Sequence, residues 1–333
     1  MMTGWSGRWR MGLAVLGLPV VLILAAMWLL DTEPAPFTPE AALSRYKPGV
    51  DGARVVPGEY VAATSAALLD VLLHKRGGYL SNDVFPPGAL MDNMPSWEWG
   101  VLTQLRDMAK SLRNEFSRSQ SQSTEDADLT EADNHLNIDS DSWLFPAAET
   151  EYGVAEEALL AYLARLGNAK EQDAQFFARA DNLRDWLQLV EKRLGDLSQR
   201  LSASVGQVRV NTDLAGDTEA RQSTFTAEER EVRTPWLHID DVFYEARGAS
   251  WALLHLLQAI ERDCAPVLEK RNAVVSLRQI IRELEGTQAA LHSPVILNGG
   301  GFGFTANHSL VMASYISRAT AAVIDLRMLL ERG

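Results

Sequence analysis

An uncharged apolar run near the amino terminus constrains this chain more than any other feature. The run begins at Met11, ends at Leu30 and contains no Asp, Glu, Lys or Arg. As an α-helix it would span about 30 Å, which matches the hydrocarbon thickness of a bilayer. Pro19 is tolerated in such a helix because local rearrangement can re-satisfy the carbonyl that it frees. We therefore expect residues 11–30 to be a transmembrane helix in contact with the lipid bilayer.

The alternative interpretation of this run is a cleaved signal peptide. Such a peptide has an apolar region of about 7–15 residues, followed by a small-x-small cleavage site. The run here is longer, and Asp31, Thr32, Glu33 and Pro34 follow it. The pattern favours an uncleaved anchor.

The charges that flank the run predict its orientation. Arg8 and Arg10 precede it, whereas Asp31 and Glu33 follow it. The positive-inside rule places residues 1–10 in the cytoplasm and the bulk of the chain outside the membrane. In a bacterium this describes a single-pass inner-membrane protein with a periplasmic carboxy-terminal domain.

Composition excludes several functional classes for that domain. The net charge of −13 argues against nucleic acid as a partner. Cys264 is the single cysteine, so the chain has neither an intrachain disulfide nor a cysteine-cluster metal site.

Apolar residues recur mostly at three- and four-residue steps, which predicts a mainly α, all-helical multi-helix domain with long aromatic and glycine-rich loops. The Pro- and Gly-rich residues 31–57 are typical of a stalk. We expect a first helical half at 58–202, a polar linker at 203–233 and a second helical half at 234–333.

The clearest periodicity lies in residues 176–201. Its apolar positions alternate steps of four and three: Phe176, Ala180, Leu183, Leu187, Val190, Leu194, Leu197 and Leu201. Such a narrow seam requires a partner helix. The preceding helix, folded back as a hairpin, is the favoured partner, and self-association with a second copy of the chain is the alternative.

Two loops carry the candidate binding residues. In residues 77–100, amides and carboxylates lie among aromatic rings: Tyr79, Asn82, Asp83, Asp92, Asn93, Trp97 and Glu98. This composition fits a pocket or a partner groove. It also fits a loop whose aromatics cap the core and whose polar residues satisfy turns. This second interpretation is favoured, because no spacing creates a catalytic set.

The second loop, residues 293–309, contributes Asn298, Phe302, Phe304, Asn307 and His308. Its glycines match a dinucleotide fingerprint only loosely, since no strand–loop–helix–strand unit surrounds them. Asn307 and His308 stand where a helix amino terminus could bind an anion, or Asn307 could simply cap that helix. No cofactor is expected.

Metal binding is not favoured either. The acidic segment 124–141 lacks the spacing of a calcium loop and is interpreted as a solvated loop. His238, Asp241 and Glu245 share one helix face, but ion pairs and caps are the favoured interpretation of these residues. His255, flanked by leucines, is expected to be a hydrogen-bonded core residue.

Several phrases identify a family resemblance: GGYLSNDVFPPG, DNMPSWEWGVL, SRSQSQSTED, DDVFYEARG, SLRQIIRELE and GFGFTANHSLVMASYISRA. Over nearly its whole length the chain resembles a proteobacterial single-pass inner-membrane family of unknown function, domain-of-unknown-function family 2333. The resemblance implies a Gram-negative envelope setting and transfers no site residues.

The sequence favours a non-enzymatic scaffold that holds an unknown envelope protein. A small-molecule or lipid-binding module, with a pocket between the two loops, is the alternative. A hydrolase that uses Asp83, Asp92 or Glu98 is less favoured, because the chain has no familiar catalytic motif and acid–base work needs two carboxylates converging on one cleft.

Overall fold

The computed structural model describes residues 4–49, 55–119, 124–168, 173–210, 229–293, 295–300 and 303–332. Within these residues the chain is mainly helical, as expected. The helices are α1 (Gly4–Leu30), α2 (Pro39–Tyr46), α3 (Glu59–His74), α4 (Asn93–Ser111), α5 (Ala127–Leu136), α6 (Ala148–Leu166), α7 (Ala180–Ser202), α8 (Ile239–Asp263), α9 (Ala265–Lys270), α10 (Val274–Thr287) and α11 (His308–Glu331). A π-helical turn, Leu112–Phe116, extends α4.

Two short strands form an antiparallel hairpin between α7 and α8. They are β1 (Gln207–Val210) and β2 (Glu229–Val232), with Gln207 opposite Val232. Residues 211–228 lie outside the described residues.

Several pairs of neighbouring helices are antiparallel, which side-chain contacts along their lengths show. For α7 and α11, Glu191 pairs with Arg327 while Ser198 contacts Ser317. For α8 and α10, Glu261 pairs with Arg278 at 2.6 Å. In the same way α5 is antiparallel to α6, α6 to α3, and α10 to α11.

This arrangement gives the bundle two ends. The end beside the last turn of α1, here called the α1-proximal end, carries the loops 75–92 and 137–147, the described parts of the connection 288–307, and the strands β1 and β2. The distal end carries the described parts of the connections 47–58, 117–126, 167–179 and 264–273.

One core spans both predicted halves of the domain. Helices α4 and α8 cross so closely that a Cβ at Gly100 would clash with the carbonyl oxygen of Glu245, and a Cβ at Gly248 with that of Trp97. Glycine at both positions lets the two backbones touch. Residues from 58–202 and from 234–333 therefore pack directly against each other.

The seam of α7 is buried, but against a different partner from the one expected. Leu183, Leu187 and Leu194 are fully buried, and α7 packs along α11 and also contacts α4. The predicted hairpin with the preceding helix is therefore wrong. Pairing with a second copy stays a prediction.

Two segments expected to be irregular are partly helical. Within the predicted stalk, α2 buries Ala42 and Leu43, and Phe37 packs its ring against Trp251 and His255. In the acidic segment, α5 forms, and its acids pair with arginines, for example Asp126 with Arg165 at 2.7 Å. Residues 39–46 are therefore packed rather than a spacer, and in the acidic segment α5 is followed by an exposed loop at residues 137–141.

Among the described residues, α11 is long and apolar enough to cross a membrane by length and composition, and 39% of its apolar window is buried inside the bundle. It packs between α7 and α10 and carries Arg318 and Arg327 in ion pairs. In α1 the described apolar stretch is Gly17–Leu30, and none of its side chains is buried.

Candidate functional site: an apolar groove beside the α1 junction

Helix α1 joins the bundle through a series of specific contacts rather than a free linker. Leu30 lies against Gly77, where a Cβ would be 2.7 Å from its Cδ2 atom. Asn93 donates a hydrogen bond to Asp31 at 3.4 Å. The backbone N–H of Phe37 donates to His255 Nε2 at 3.0 Å. The junction is therefore fixed against α3, α4 and α8.

An open groove of about 460 Å³ lies beside this junction, between α8, α10 and α11. Its walls are mostly apolar and include Phe243, Leu291, Val311, Met312 and Tyr315. Gly286 allows α10 to approach Tyr315, because a Cβ there would overlap the ring. The groove thus depends on side chains of α8 and α11 and on residues 286–293, at the end of α10 and just after it.

Polar groups lie at the edge of the groove. Arg247, His292, Ser293 and His308 contribute to its lining, and no Asp or Glu of the described residues does so. An apolar cleft with a few polar groups at one side is the usual form of a site for a small or amphiphilic molecule. Without carboxylates, this groove has no pair for acid–base hydrolysis.

Arg247 connects the groove to the α1 junction. Arg247 is only 6% exposed. Its Nε donates to both carboxylate oxygens of Glu33, at 2.5 and 2.7 Å. Its Nη1 donates to the carbonyl oxygens of Thr287 and Ala289, at 2.8 and 3.0 Å. A cation at this position satisfies the carbonyls at the end of α10.

Of the predicted site residues that the structure describes, only His308 lines the groove. Its ring Nδ1 accepts from the backbone N–H of Leu297 at 3.1 Å. The backbone N–H of His308 donates to the carbonyl oxygen of Leu297 at 2.9 Å. Since Nδ1 is an acceptor, the neutral ring carries its proton on Nε2.

The rest of the second loop is held by a network around Asn307. Its Oδ1 accepts from Leu310 N at 2.8 Å, which is the helix cap that the sequence suggested as an alternative. Its Nδ2 donates to Asn298 Oδ1, and Asn298 donates to the carbonyl of Ser204 at 2.7 Å. Phe304 is fully exposed, and Phe302 lies outside the described residues.

The first loop is shorter than expected, because α4 already begins at Asn93, so Trp97 and Glu98 are helical. Tyr79 is buried and donates to the carbonyl of Ser140 at 3.2 Å. Asn82 donates to Ser142 O and to Glu149, at 2.9 and 2.6 Å. These side chains fasten the 75–92 loop to the 137–147 loop.

Glu98 is fully buried and paired with Lys75. Its carboxylate also accepts from the backbone N–H groups of Leu80 and Ser81 and from the Ser81 hydroxyl. Burial raises the pKa of Glu98, while Lys75 opposes that shift. A carboxylate enclosed in this way organises the loop and has no access to a substrate.

The remaining residues of the first loop are also accounted for locally. Asp92 caps α4 by accepting from Asn93 N at 2.9 Å, and Trp97 is in the core beside Trp251. Asp83 is exposed, and partial burial of its carboxyl raises its pKa. Both loops lie at the α1-proximal end, yet the groove is lined only by the second.

The candidate metal face on α8 is occupied by ion pairs, as the sequence favoured. His238 Nδ1 lies 2.8 Å from Asp241, whereas Glu245 binds Arg200 at 2.5 Å. The expectation for His255 is confirmed, because it is fully buried and its Nδ1–H donates to the carbonyl of Trp251 at 2.6 Å.

The structure also brings together one cluster of residues that commonly bind metals, which the sequence did not predict. Asp70, His74 and Glu156 place ligand atoms within 4.8 Å of one another on α3 and α6. Arg45 pairs with Asp70 at 2.5 Å, and burial followed by the charge of Asp70 raises the pKa of Glu156. Arg45 pairs with Asp70 and the Tyr46 hydroxyl lies 3.5 Å from Glu156, so both carboxylates have protein partners without an ion.

The fold and the groove define a helical-bundle protein with an exposed apolar amino-terminal helix and an open apolar cleft. Residues 3–333 match a sequence family described as uncharacterized protein conserved in bacteria, DUF2333, and the chain belongs to that family. No curated protein and no solved structure matches it.

Proposed function

We propose that this chain is a single-pass protein of the bacterial inner membrane whose periplasmic helical domain binds the apolar chain of an amphiphile. The observation that carries the proposal is the position of the groove, which opens at the same end of the bundle as α1. Residues 11–30 span the bilayer in this proposal, and residues 1–10 are cytoplasmic.

The exposure of α1 supports the membrane part of this proposal. Leu18, Leu24 and Trp28 expose 61%, 58% and 80% of their surface. Exposed apolar area costs about 25 cal/mol per Å² in water, so a helix this apolar requires an apolar environment. The domain leaves the described side chains of α1, from Gly17 to Leu30, without full burial, and a bilayer supplies that environment.

The chemistry of the groove supports the ligand part. Its apolar walls suit a hydrocarbon chain, while His292, Ser293 and His308 in its lining suit a polar head group. A groove of about 460 Å³ is within the usual range for a small-molecule site.

The test is photo-crosslinking of the full-length chain in nanodiscs of phosphatidylcholine that carries a diazirine on one acyl chain. We expect crosslinks at Leu291, Val311 or Tyr315 in addition to those in α1. Ala290→Trp, which fills the groove from its exposed edge, should abolish the groove crosslinks and leave those in α1.

The matched control is Ala161→Trp, which adds the same side chain to an exposed position of α6. It should leave both sets of crosslinks unchanged. Crosslinks confined to α1 in the unmodified chain would refute the groove proposal, and their absence from α1 as well would refute the transmembrane proposal.

A scaffold for another envelope protein is the second candidate. A polar groove of about 790 Å³ on the flank of α4 and α7 favours it, because Lys110, Lys192, Glu115 and Asp196 offer charges of both signs there. Crosslinking in envelope membranes followed by pull-down tests this role. The unmodified chain should recover one reproducible partner that Lys110→Glu/Lys192→Glu loses, and recovery of none would count against it.

A further inference from the structure

We infer that the α1-proximal end of the bundle docks onto the bilayer that α1 enters, with loop side chains inserted into the lipid interface. This inference rests on the proposed transmembrane role of α1. It adds a second, peripheral contact between the domain and the membrane.

Exposed apolar side chains are concentrated at this end. The loop 75–92 exposes Phe85 (75%), the loop 137–147 exposes Phe145 (90%), and the turn before α8 exposes Trp236 (80%). Phe304, in the loop before α11, is fully exposed, and Trp143 is 53% exposed. Each of these five aromatics belongs to a loop rather than to a helix face.

The described connections at the distal end differ sharply. Among their described residues only Val56 exposes a large apolar side chain, and none of the exposed residues there is aromatic. Val275, in the first turn of the adjoining α10, is also exposed. Soluble domains expose single apolar residues at random positions, so a concentration at one end indicates an interaction surface. Aromatic rings in particular are favoured at the boundary between lipid and water.

The α1 junction identifies the bilayer as the occupant of this surface. Leu30, the last residue of the apolar run, already contacts Gly77, and Asp31 is bound by Asn93. One residue spans at most about 3.6 Å, so the domain begins at the point where α1 leaves the hydrocarbon. The loops next to the junction are thus held at the level of the head groups.

Charge indicates which lipids can be engaged. Asp83, Asp139 and Asp141 are exposed beside the aromatic residues of the two neighbouring loops. These carboxylates would be repelled by anionic head groups. Attraction must therefore come from apolar insertion, which suits a zwitterionic surface.

The test places a polarity-sensitive fluorophore at single cysteines in the full-length chain, reconstituted in phosphatidylcholine vesicles. The substitutions are Phe85→Cys, Phe145→Cys, Trp236→Cys and Phe304→Cys, with Val275→Cys as the distal control. Cys264 is fully buried and does not compete for the label. Leu24→Cys, in α1, reports whether that helix lies in lipid.

We expect the four loop labels to emit at shorter wavelength and to be quenched by phosphatidylcholine brominated on its acyl chains. The Val275→Cys label should show neither the shift nor the quenching. Loop labels that behave like the distal control would overturn the inference. A wavelength shift without lipid quenching would also overturn it, since a protein would then cover the surface. A quenched Leu24→Cys label in either case leaves the transmembrane proposal standing.

Discussion

Arg247 holds Glu33, three residues beyond the apolar run, through two hydrogen bonds of 2.5 and 2.7 Å from its Nε. The same guanidinium binds the carbonyl oxygens of Thr287 and Ala289, where α10 ends. One side chain thereby joins the α1 junction, α8 and the wall of the groove. The position of α1 and the shape of the groove depend on the same contact.

Arg247→Ala should destabilise the domain by about 3 kcal/mol, because it leaves Glu33 and two carbonyl oxygens without their donor. Arg282→Ala is the control: Arg282 is 80% exposed in a loose pair with Glu285, so its removal should change stability by less than about 0.5 kcal/mol. Thermal unfolding of the full-length chain in nanodiscs, followed by tryptophan fluorescence, measures both. Equal effects would show that the Arg247 contacts contribute little.

Gly248→Ala should destabilise the protein by about 3 kcal/mol or more, because the added Cβ collides with the carbonyl of Trp97 and forces α4 and α8 apart. In contrast, Gly153 lies within α6 with open space around its Cα. Gly153→Ala should therefore stabilise the protein by up to about 1 kcal/mol through helix propensity. The two substitutions have the same chemistry and opposite expected signs, and unfolding midpoints measured side by side test them. A tolerated Gly248→Ala would contradict the close crossing.

Periodicity predicted many of the helices but not how they pair. The heptad spacing of α7 predicts that one of its faces is buried. It does not predict whether α6 or α11 covers that face. The Pro and Gly content of residues 31–57 favours an irregular stalk and so hides α2. Thr38 followed by Pro39 is nevertheless a helix-start signal, and the Thr38 side chain does accept from Ala41 N.

The candidate site was less predictable than the fold. Of the groove residues, the sequence singled out only His308 as a candidate binder. The other walls come from α8, from α11 and from residues 286–293, which meet only in the folded chain. Arg247 was visible only as one of several charges near the start of α8. Its burial depends on Glu33, which is more than two hundred residues away in sequence.

Asp263 should make the protein less stable as pH rises. It is buried where its carboxylate oxygen accepts from Val61 N at 2.8 Å, and burial raises its pKa to about 7. Between about pH 4 and 7 the folded state therefore holds a proton that the unfolded state has lost, so stability falls by up to about 4 kcal/mol across that window.

Asp263→Asn, which stays neutral, should remove this decline and make the variant more stable than the unmodified chain at pH 8. Glu285→Gln, at a half-exposed position, serves as the matched carboxyl-to-amide control. Unfolding free energies measured from pH 4 to 8 decide the matter. If stability varied with pH in Asp263→Asn in the same way as in the unmodified chain, the effect would belong to another group.

His255 should act with the opposite sign over an overlapping pH range. Burial lowers its pKa to about 4, and its neutral ring donates from Nδ1 to Trp251 O and accepts at Nε2 from Phe37 N. As pH falls from about 6.5 to 4, the unfolded state binds a proton on this histidine and the folded state does not, so stability falls by about 3 kcal/mol. In the unmodified chain the two slopes oppose each other, and the net dependence is shallow.

His255→Gln should lose the acid-side decline, so its stability should fall more steeply with rising pH than that of the unmodified chain, because Asp263 then acts alone. The double variant with Asp263→Asn should be nearly flat. Nitrogen-15 chemical shifts of the ring test the mechanism directly: the neutral Nδ1–H tautomer should persist at pH 5. A protonated ring at that pH would show that the contact with Phe37 N, which fixes the segment between α1 and α2, opens under mild acid.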